Sequence, residues 1–297
     1  MLSFRGRPAQ AGNEVSLKTF RPSALVFEAR DNRLQRSVWA HIRYAALYWP
    51  FFLYWSRRSV VIRYSQTNVG VLWAILQPLL SSLVYVIVFS LVVRVSTDPV
   101  PYPLFILTGL ITWTYFNRVV FSGAVSITSN LDIVTRVRFP REFLPLATVV
   151  ESLVDLAIGL AILVVMFVLY QQPLTAYALI ALWAFAAQTA LGLGLAFFLA
   201  GLGSAIRDLF QVLPILLQLW LYLTPVLYPL TLVPDAARAL YLVNPLAPIY
   251  ATYQETLLYG QFTQGAEMLL ATLVSLMVLF FGYRYFKRAE WRFADAL

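Results

Sequence analysis

Six apolar runs, parted by short stretches in which charges and prolines gather, dominate the chain between Val69 and Tyr285. They extend from about Val69 to Val93, Leu104 to Ile127, Leu144 to Tyr170, Leu174 to Gly203, Leu213 to Leu230 and Met268 to Tyr285. A helix needs about 20 apolar residues to cross a bilayer core. Backbone in lipid must satisfy its own hydrogen bonds, which leaves only helices and closed barrels. Barrel strands alternate polar and apolar over about ten residues, and these runs do not alternate. The expectation is an all-α integral membrane protein with six transmembrane helices. Composition agrees: 60% of the 297 residues are hydrophobic and 12% charged, against roughly 25% charged in a soluble domain.

Lysine and arginine set the orientation of such a chain. Arg5 to Arg63 precede the first run, Arg136, Arg138 and Arg141 follow the second, Arg207 follows the fourth, and Arg284, Lys287, Arg288 and Arg292 close the chain. The alternate loops hold only Arg94 and Arg238. Both termini are therefore expected in the cytoplasm, and the net charge of +8 reads as topology rather than as nucleic-acid binding. The first 30 residues are polar and basic, without the apolar core of a secretory signal, so residues 1–38 are read as a cytoplasmic arm.

Two regions fit neither span nor loop. Residues 39–68 contain "YAALYWPFFLYW", too short to cross, flanked by arginines and broken at Pro50. Such a segment suits an amphipathic helix in the headgroup plane; a marginal span is the alternative. Tyr228 to Gly265 is semi-apolar and carries Pro229, Pro234, Pro245 and Pro248. Its two short helical patterns, split at Asn244-Pro245, suit re-entrant helices in the outer leaflet. The halves of the chain carry no matching broken helices, which argues against an inverted-repeat carrier.

Catalytic chemistry is missing. Cysteine is absent and His41 is the lone histidine, which excludes disulfides and thiolate or histidine metal clusters. No P-loop, H-E-x-x-H or G-x-S-x-G motif occurs. No catalytic residue, metal site or cofactor is expected in this chain. "GLGLAFFLAGLG", with Gly192, Gly194, Gly201 and Gly203, reads as a helix-packing surface rather than a nucleotide loop.

Three charges fall inside the runs: Arg118 in the second, Glu151 and Asp155 in the third. At about 1.5 Å per residue, Arg118 lies roughly 14 Å, Glu151 roughly 10 Å and Asp155 roughly 16 Å from the cytoplasmic ends of their runs. Glu151 and Asp155 share a helix face, and charges at membrane depth face protein and a partner. A buried Arg118–Glu151/Asp155 cluster is expected. A proton relay is the functional alternative, but an arginine stays protonated and suits pairing better.

The basic segment "SNLDIVTRVRFPREFLP" links the second and third runs. Asn130 suits an N-cap, Asp132 the first turn, and Arg136 and Arg138 the last. Pro140 then stops the helix and forces Phe139 to extend. Ile133, Val134 and Val137 should share one side. A topology-setting loop accounts for the arginines alone; an apolar stripe with a basic rim reads as a helix that docks on a cytoplasmic partner.

Four blocks, in order, carry a resemblance: "RYSQTNVGVLWAILQPLL" (Arg63–Leu80), "YPLFILTGLITWTYF" (Tyr102–Phe116), "NLDIVTRVRFPREFLPLATVVESLVD" (Asn130–Asp155) and "YLVNPLAPIYATYQETLLYG" (Tyr241–Gly260). Together they resemble the permease subunit of ABC type-2 polysaccharide exporters, the systems for O-antigen, capsule and teichoic acid. The resemblance implies a homodimer of six-span domains (residues 69–297) in a bacterial inner membrane, bound to two copies of a separate ATPase that holds ATP and Mg. It implies that Leu131, Asp132, Ile133, Val134, Arg136, Val137, Arg138 and Phe139 form the coupling helix in the ATPase cleft. It also implies that residues 39–63 lie beside the entrance for a lipid-linked glycan, and that the outer proline-rich stretch caps the exit.

Arg57, Arg58 and Arg63 then suit the carrier's phosphates, or plain contact with membrane lipid. Trp73, Tyr85, Trp113, Tyr115, Phe116, Trp220 and Tyr222 suit a sugar-stacking channel between subunits, or an interfacial aromatic belt. The competing functions are a small-molecule or drug exporter of the same superfamily, an ion-coupled carrier using Asp155 and Glu151, and a transferase acting on lipid carriers.

Overall fold

The computed structural model describes residues 46–293 except 66–71, 93–95, 138, 204, 207, 235–240 and 242. The cytoplasmic arm, the start of the interfacial segment, Val69 and Arg138 lie outside the described residues. So do the side chains of Trp73 and of a few other helix residues. The chain divides between Leu47 and Tyr48 into two units, and the fold below belongs to the second.

Every regular element among the described residues is helical. Helix α1 (Trp49–Ser65) is followed by α2 (Leu72–Val86), which widens into a π turn over Ile87–Val92. Then come α3 (Tyr102–Val125), the short α4 (Leu131–Arg136) and α5 (Phe143–Leu169). Helix α6 (Ala181–Gly203) is entered through a 3-10 turn at Ala176–Ile180, and α7 spans Leu209–Tyr222. Finally α8 (Leu246–Tyr253) widens into a π turn over Gln254–Tyr259, and α9 (Gly265–Ala289) ends in a 3-10 turn at Glu290–Phe293. Four helices are long and apolar enough to cross a membrane: α3, α5, α6 with its leading turn, and α9. Helices α2 and α7 are apolar but shorter.

Helix α3 is the axis of the bundle, buried over most of its length against α2, α5, α6 and α7. Its threonines turn inward because they satisfy themselves: the Thr108 hydroxyl donates to the Leu104 carbonyl at 2.9 Å and Thr112 to Thr108 at 3.0 Å. The opposite design appears on α5 and α9. Val164, Val165, Val168 and Leu169 on α5, and Leu269, Leu273, Leu276 and Phe280 on α9, stand exposed. Apolar faces this continuous are foreign to a water-soluble surface and suit lipid.

Helices α6 and α9 share the most extensive contact in the molecule, and glycine permits it. A Cβ on Gly194 would stand 2.5 Å from the Leu279 backbone nitrogen, and one on Gly282 would overlap the Gly194 carbonyl. This close backbone approach is the packing mode open to helices in lipid, where association rests on van der Waals fit.

Two sequence expectations change. The fifth apolar run is helical only to Tyr222, a length of about 21 Å at 1.5 Å per residue, and residues 223–228 form turns. Pro225 and Pro229 explain the stop, since the residue before proline avoids helix. Asn244 then satisfies the freed end, donating its amide to the Leu223 carbonyl at 3.2 Å and to the Thr224 hydroxyl at 3.0 Å. Pro50 begins α1 rather than breaking it: it occupies the first turn, where the missing N–H costs nothing. After Pro245, every residue of α8 is buried. Gly260 closes that segment in a left-handed conformation, φ 63°, which favours glycine.

Side-chain bonds separate the two ends of the bundle. At one end the Tyr102 hydroxyl donates to the Leu227 carbonyl (2.9 Å), Tyr259 to Thr97 (3.1 Å) and the Gln172 amide to Leu258 (2.7 Å). At the other end Lys287 bonds Glu142 at 3.0 Å and Arg141 donates to the Glu290 carbonyl. The second end carries α1, α4 and almost all of the described basic residues.

Candidate functional site

The short helix between α3 and α5 is built differently from its sequence pattern. A 3-10 turn at Thr128–Asn130 precedes α4, and the Asn130 side chain does not cap it. Its amide instead donates to the Ser126 carbonyl at 2.8 Å, holding the preceding turn. Helix α4 ends at Arg136, and Val137 is already extended (φ −117°, ψ 134°). The helix thus stops short of Pro140, and Val137 leaves the helix face expected of it. Val134 is buried, whereas Val137 is 46% exposed. Asp132 and Arg136 are exposed and paired at 3.9 Å, a spacing worth little in water. Phe139 is buried, its ring 4.8 Å from Phe51 of α1.

Both flanks of this knuckle are fastened. The Arg141 guanidinium donates to the Glu290 carbonyl at 2.5 Å and lies over the Phe293 ring. Lys287 bridges Glu142 at 3.0 Å and Glu290 at 2.8 Å. The exposed surface of α4, with Val137 beside Asp132 and Arg136, therefore sits on a fastened base. Its flanks contact α1 through Phe51 and α9 through Arg141 and Lys287.

Arg118 on α3 bonds Asp155 on α5. A third helix joins them. Arg63 at the end of α1 donates to Asp155 at 2.8 Å and to Glu151 at 3.1 Å. Among the described residues the cluster holds two guanidinium groups and two carboxylates, the pairing that charges removed from water require. A cavity of about 30 Å³, the space of a water or two, lies beside Arg118 and Asp155, bounded by Gln77, Thr114 and Tyr115. Sequence reasoning assigned Arg63 to lipid phosphate and missed it as a counter-ion. Arg63 and Asp155 are separated by 92 residues, and the one available signal was a surplus carboxylate facing Arg118. Arg57 and Arg58 are exposed, and the Arg58 guanidinium sits 5.4 Å above the Trp55 ring.

The seven aromatics divide. Trp113, Tyr115 and Phe116 are buried in the core of the chain. The reason is packing: Trp113 meets Phe116 and Tyr250, Phe116 meets Trp220 edge-on at 5.6 Å, and the Tyr115 hydroxyl bonds Thr189 at 2.9 Å. Tyr222 is exposed, Tyr85 and Trp220 are half-buried, and the Trp73 side chain lies outside the described residues. A polar node lies within this core. The Gln188 amide donates to the Thr112 carbonyl (2.9 Å) and the Tyr250 hydroxyl (3.1 Å), and its oxygen accepts from Tyr253 (2.7 Å). Sequence reasoning missed it, because a glutamine alone in an apolar run names no partner.

Comparison with known proteins places this arrangement. Residues 43–258 match the model of the family described as "ABC-2 type transporter". The chain is 34% identical to the O-antigen export system permease protein RfbA of Myxococcus xanthus, over 81% of this chain and 93% of that protein. It is 27% identical to the protein of the same name from Klebsiella pneumoniae, over 82% and 93%. It is 23% identical to the polysialic acid transport protein KpsM of Escherichia coli, over 78% and 91%.

Proposed function

The chain belongs to the ABC-2 type transporter family, and from that premise we propose that it is the permease subunit of an ATP-driven exporter of O-antigen-like polysaccharide across the bacterial inner membrane. The observation that carries this reading is the likeness to an O-antigen export permease along nearly its whole length. A capsule-type polysaccharide transporter among the relatives supports the same substrate class.

In this reading two copies of the chain assemble with two ATPase subunits, which bind ATP and Mg. Each chain crosses the membrane six times, with α2 and α7 as the shorter crossings and both termini in the cytoplasm. The gathering of arginines at the α1–α4 end supports that orientation. Helix α4 is the coupling helix. Its exposed rim, Asp132, Arg136 and Val137, on a fastened base, supports that role; Leu131, Ile133, Val134, Arg138 and Phe139 complete the segment. ATP binding by the partner moves α4 as a rigid body. The glycan, carried on a lipid phosphate, reaches the complex beside α1, where Arg57 and Arg58 meet the phosphate and Arg63 acts from the cluster behind them. Tyr85, Trp220 and Tyr222 are the aromatics left to line the sugar path. The buried α8 and the turn after it form the re-entrant cap at the exit. Asp155 is held by two arginines, which supports a structural cluster over a proton relay.

The test is transport in vesicles bearing the chain and its ATPase partner. Export should stop on ATP depletion and survive collapse of the proton gradient. The reverse pattern would return the chain to the ion-coupled class.

A further inference from the structure

Ser122, Ser126 and Ser129 follow Arg118 at helical spacing on one face, opposite Thr148 and Glu151 of α5 and Arg58 and Arg63 of α1. These residues enclose a cavity of about 630 Å³, within the roughly 300–1,000 Å³ typical of small-ligand sites. It opens between the knuckle, at Asn130, and the ion cluster, at Arg63 and Glu151. Thr148 and Glu151 are about 4 Å apart along α5 at 1.5 Å per residue, so the polar wall reaches inward to the level of the cluster.

The wall has a defined chemistry. The Ser126 hydroxyl donates to the Gly123 carbonyl (2.7 Å), Ser129 to Val125 (2.5 Å) and Thr148 to Pro145 (2.8 Å). With their protons engaged, these oxygens are left as acceptors. Acceptors suit a ligand rich in O–H donors and do not suit an anion. The α1 wall is the reverse: Arg58 and Arg63 are pure donors with full charge. Acceptors facing cations match a sugar joined to a phosphate.

The floor completes the match. Arg63 holds Asp155 at 2.8 Å and Glu151 at 3.1 Å, but Glu151 alone of the two carboxylates lines this cavity; Asp155 lines the small one behind it. Glu151 also has a second hydrogen-bond partner, the Ser59 hydroxyl. A phosphate oxygen arriving in the cavity meets the same guanidinium edge that Glu151 occupies. Asp155 meanwhile keeps Arg63, and with it α1, attached to the bundle.

We propose that this cleft seats the phosphate-linked first sugar of the lipid-borne glycan, and that the arriving phosphate takes the place of Glu151 on Arg63. The proposal rests on the exporter reading and adds the part of the substrate that is recognised and the group it displaces. With cargo present, the Arg63 tie between α1 and α5 then rests on Asp155 rather than on both carboxylates.

The experiment measures equilibrium binding to the chain with its ATPase partner in phosphatidylcholine nanodiscs. The probe is a fluorescent polyprenyl diphosphate bearing one N-acetylglucosamine; the comparison arms are the same lipid without sugar, and phosphatidylglycerol as competitor. Replacing Ser126 and Ser129 together by alanine should weaken the sugar-bearing probe about tenfold, the worth of one or two neutral hydrogen bonds, and leave the bare diphosphate unchanged. Glu151→Gln should tighten both diphosphates severalfold by removing the competitor, and Arg58→Gln should weaken both. Equal binding of both probes by the serine variant and the wild type, weaker binding by Glu151→Gln, or equal displacement by phosphatidylglycerol each overturns the assignment. The serine pair carries the test if Glu151→Gln is not recovered folded. A wild-type complex that hydrolyses ATP but binds no lipid-borne sugar phosphate sinks the exporter reading itself. One that binds and exports while the variants match it sinks only the seat.

Discussion

Replacing Asp155 by asparagine is the sharpest perturbation of the helix bundle. The change keeps the shape but removes the charge that Arg63 and Arg118 share. Glu151, 3.1 Å from Arg63, then remains as the carboxylate among these four side chains. Removing one partner of a buried pair costs about 3–5 kcal/mol, because the other charge stays buried without compensation. Arg63 is 29% and Arg118 23% exposed in their side chains, and partial solvation brings the expectation to about 2–3 kcal/mol. That is roughly a thirty- to 150-fold loss in the folded-to-unfolded ratio. The assay is thermal aggregation of the detergent-purified chain, read by size-exclusion chromatography after heating. A second variant isolates the cause. Arg118→Gln combined with Asp155→Asn restores charge balance between Arg63 and Glu151, and should recover most of the loss. If Asp155→Asn is as stable as the wild type, or if the double variant is worse than the sum of the singles, the ion cluster is not what ties α1, α3 and α5 together.

Other outcomes follow from the packing. Gly282→Ala places a methyl against the Gly194 carbonyl; overpacking of this kind costs about 1–3 kcal/mol and should lower the heating midpoint in the same assay, whereas Gly265→Ala, whose methyl would meet the Phe262 ring at an ordinary contact distance of 3.6 Å, should not. Gln188→Leu strips the buried Tyr253 hydroxyl of its acceptor, an uncompensated loss of about 1–3 kcal/mol, and should destabilise the chain more than Thr189→Val at the half-buried neighbouring position. Val134→Asp buries a charge beside the C-terminal turn and should reduce the amount of folded chain in the membrane, independently of any partner.

What the sequence made legible followed from length and charge. The apolar runs at α3, α5, α6 and α9 declared themselves because lipid admits so few backbone solutions. The partnership of Arg118 with Asp155 was readable because both lie at one depth in adjacent helices. Direction within the bundle was not readable. Trp113, Tyr115 and Phe116 have the composition of a stacking surface, yet α3 is the central helix, and a central helix has no outward face. Arg63 was read by its local surroundings, among arginines near a membrane surface, while its partners come from a helix far along the chain. Val137 was placed by helical spacing, and its extended backbone removed it from that face. Each of these failures concerns which side of an element is inside, a property set by neighbours distant in sequence.

The measurement that bears most directly on the central claim is co-purification of the chain with its ATPase partner after Val137→Asp and Arg136→Glu are combined. Both side chains are exposed on the knuckle, so the fold should survive. The account predicts that the ATPase is lost from the purified chain, or remains but no longer drives glycan export. An undiminished complex that exports at the wild-type rate contradicts it.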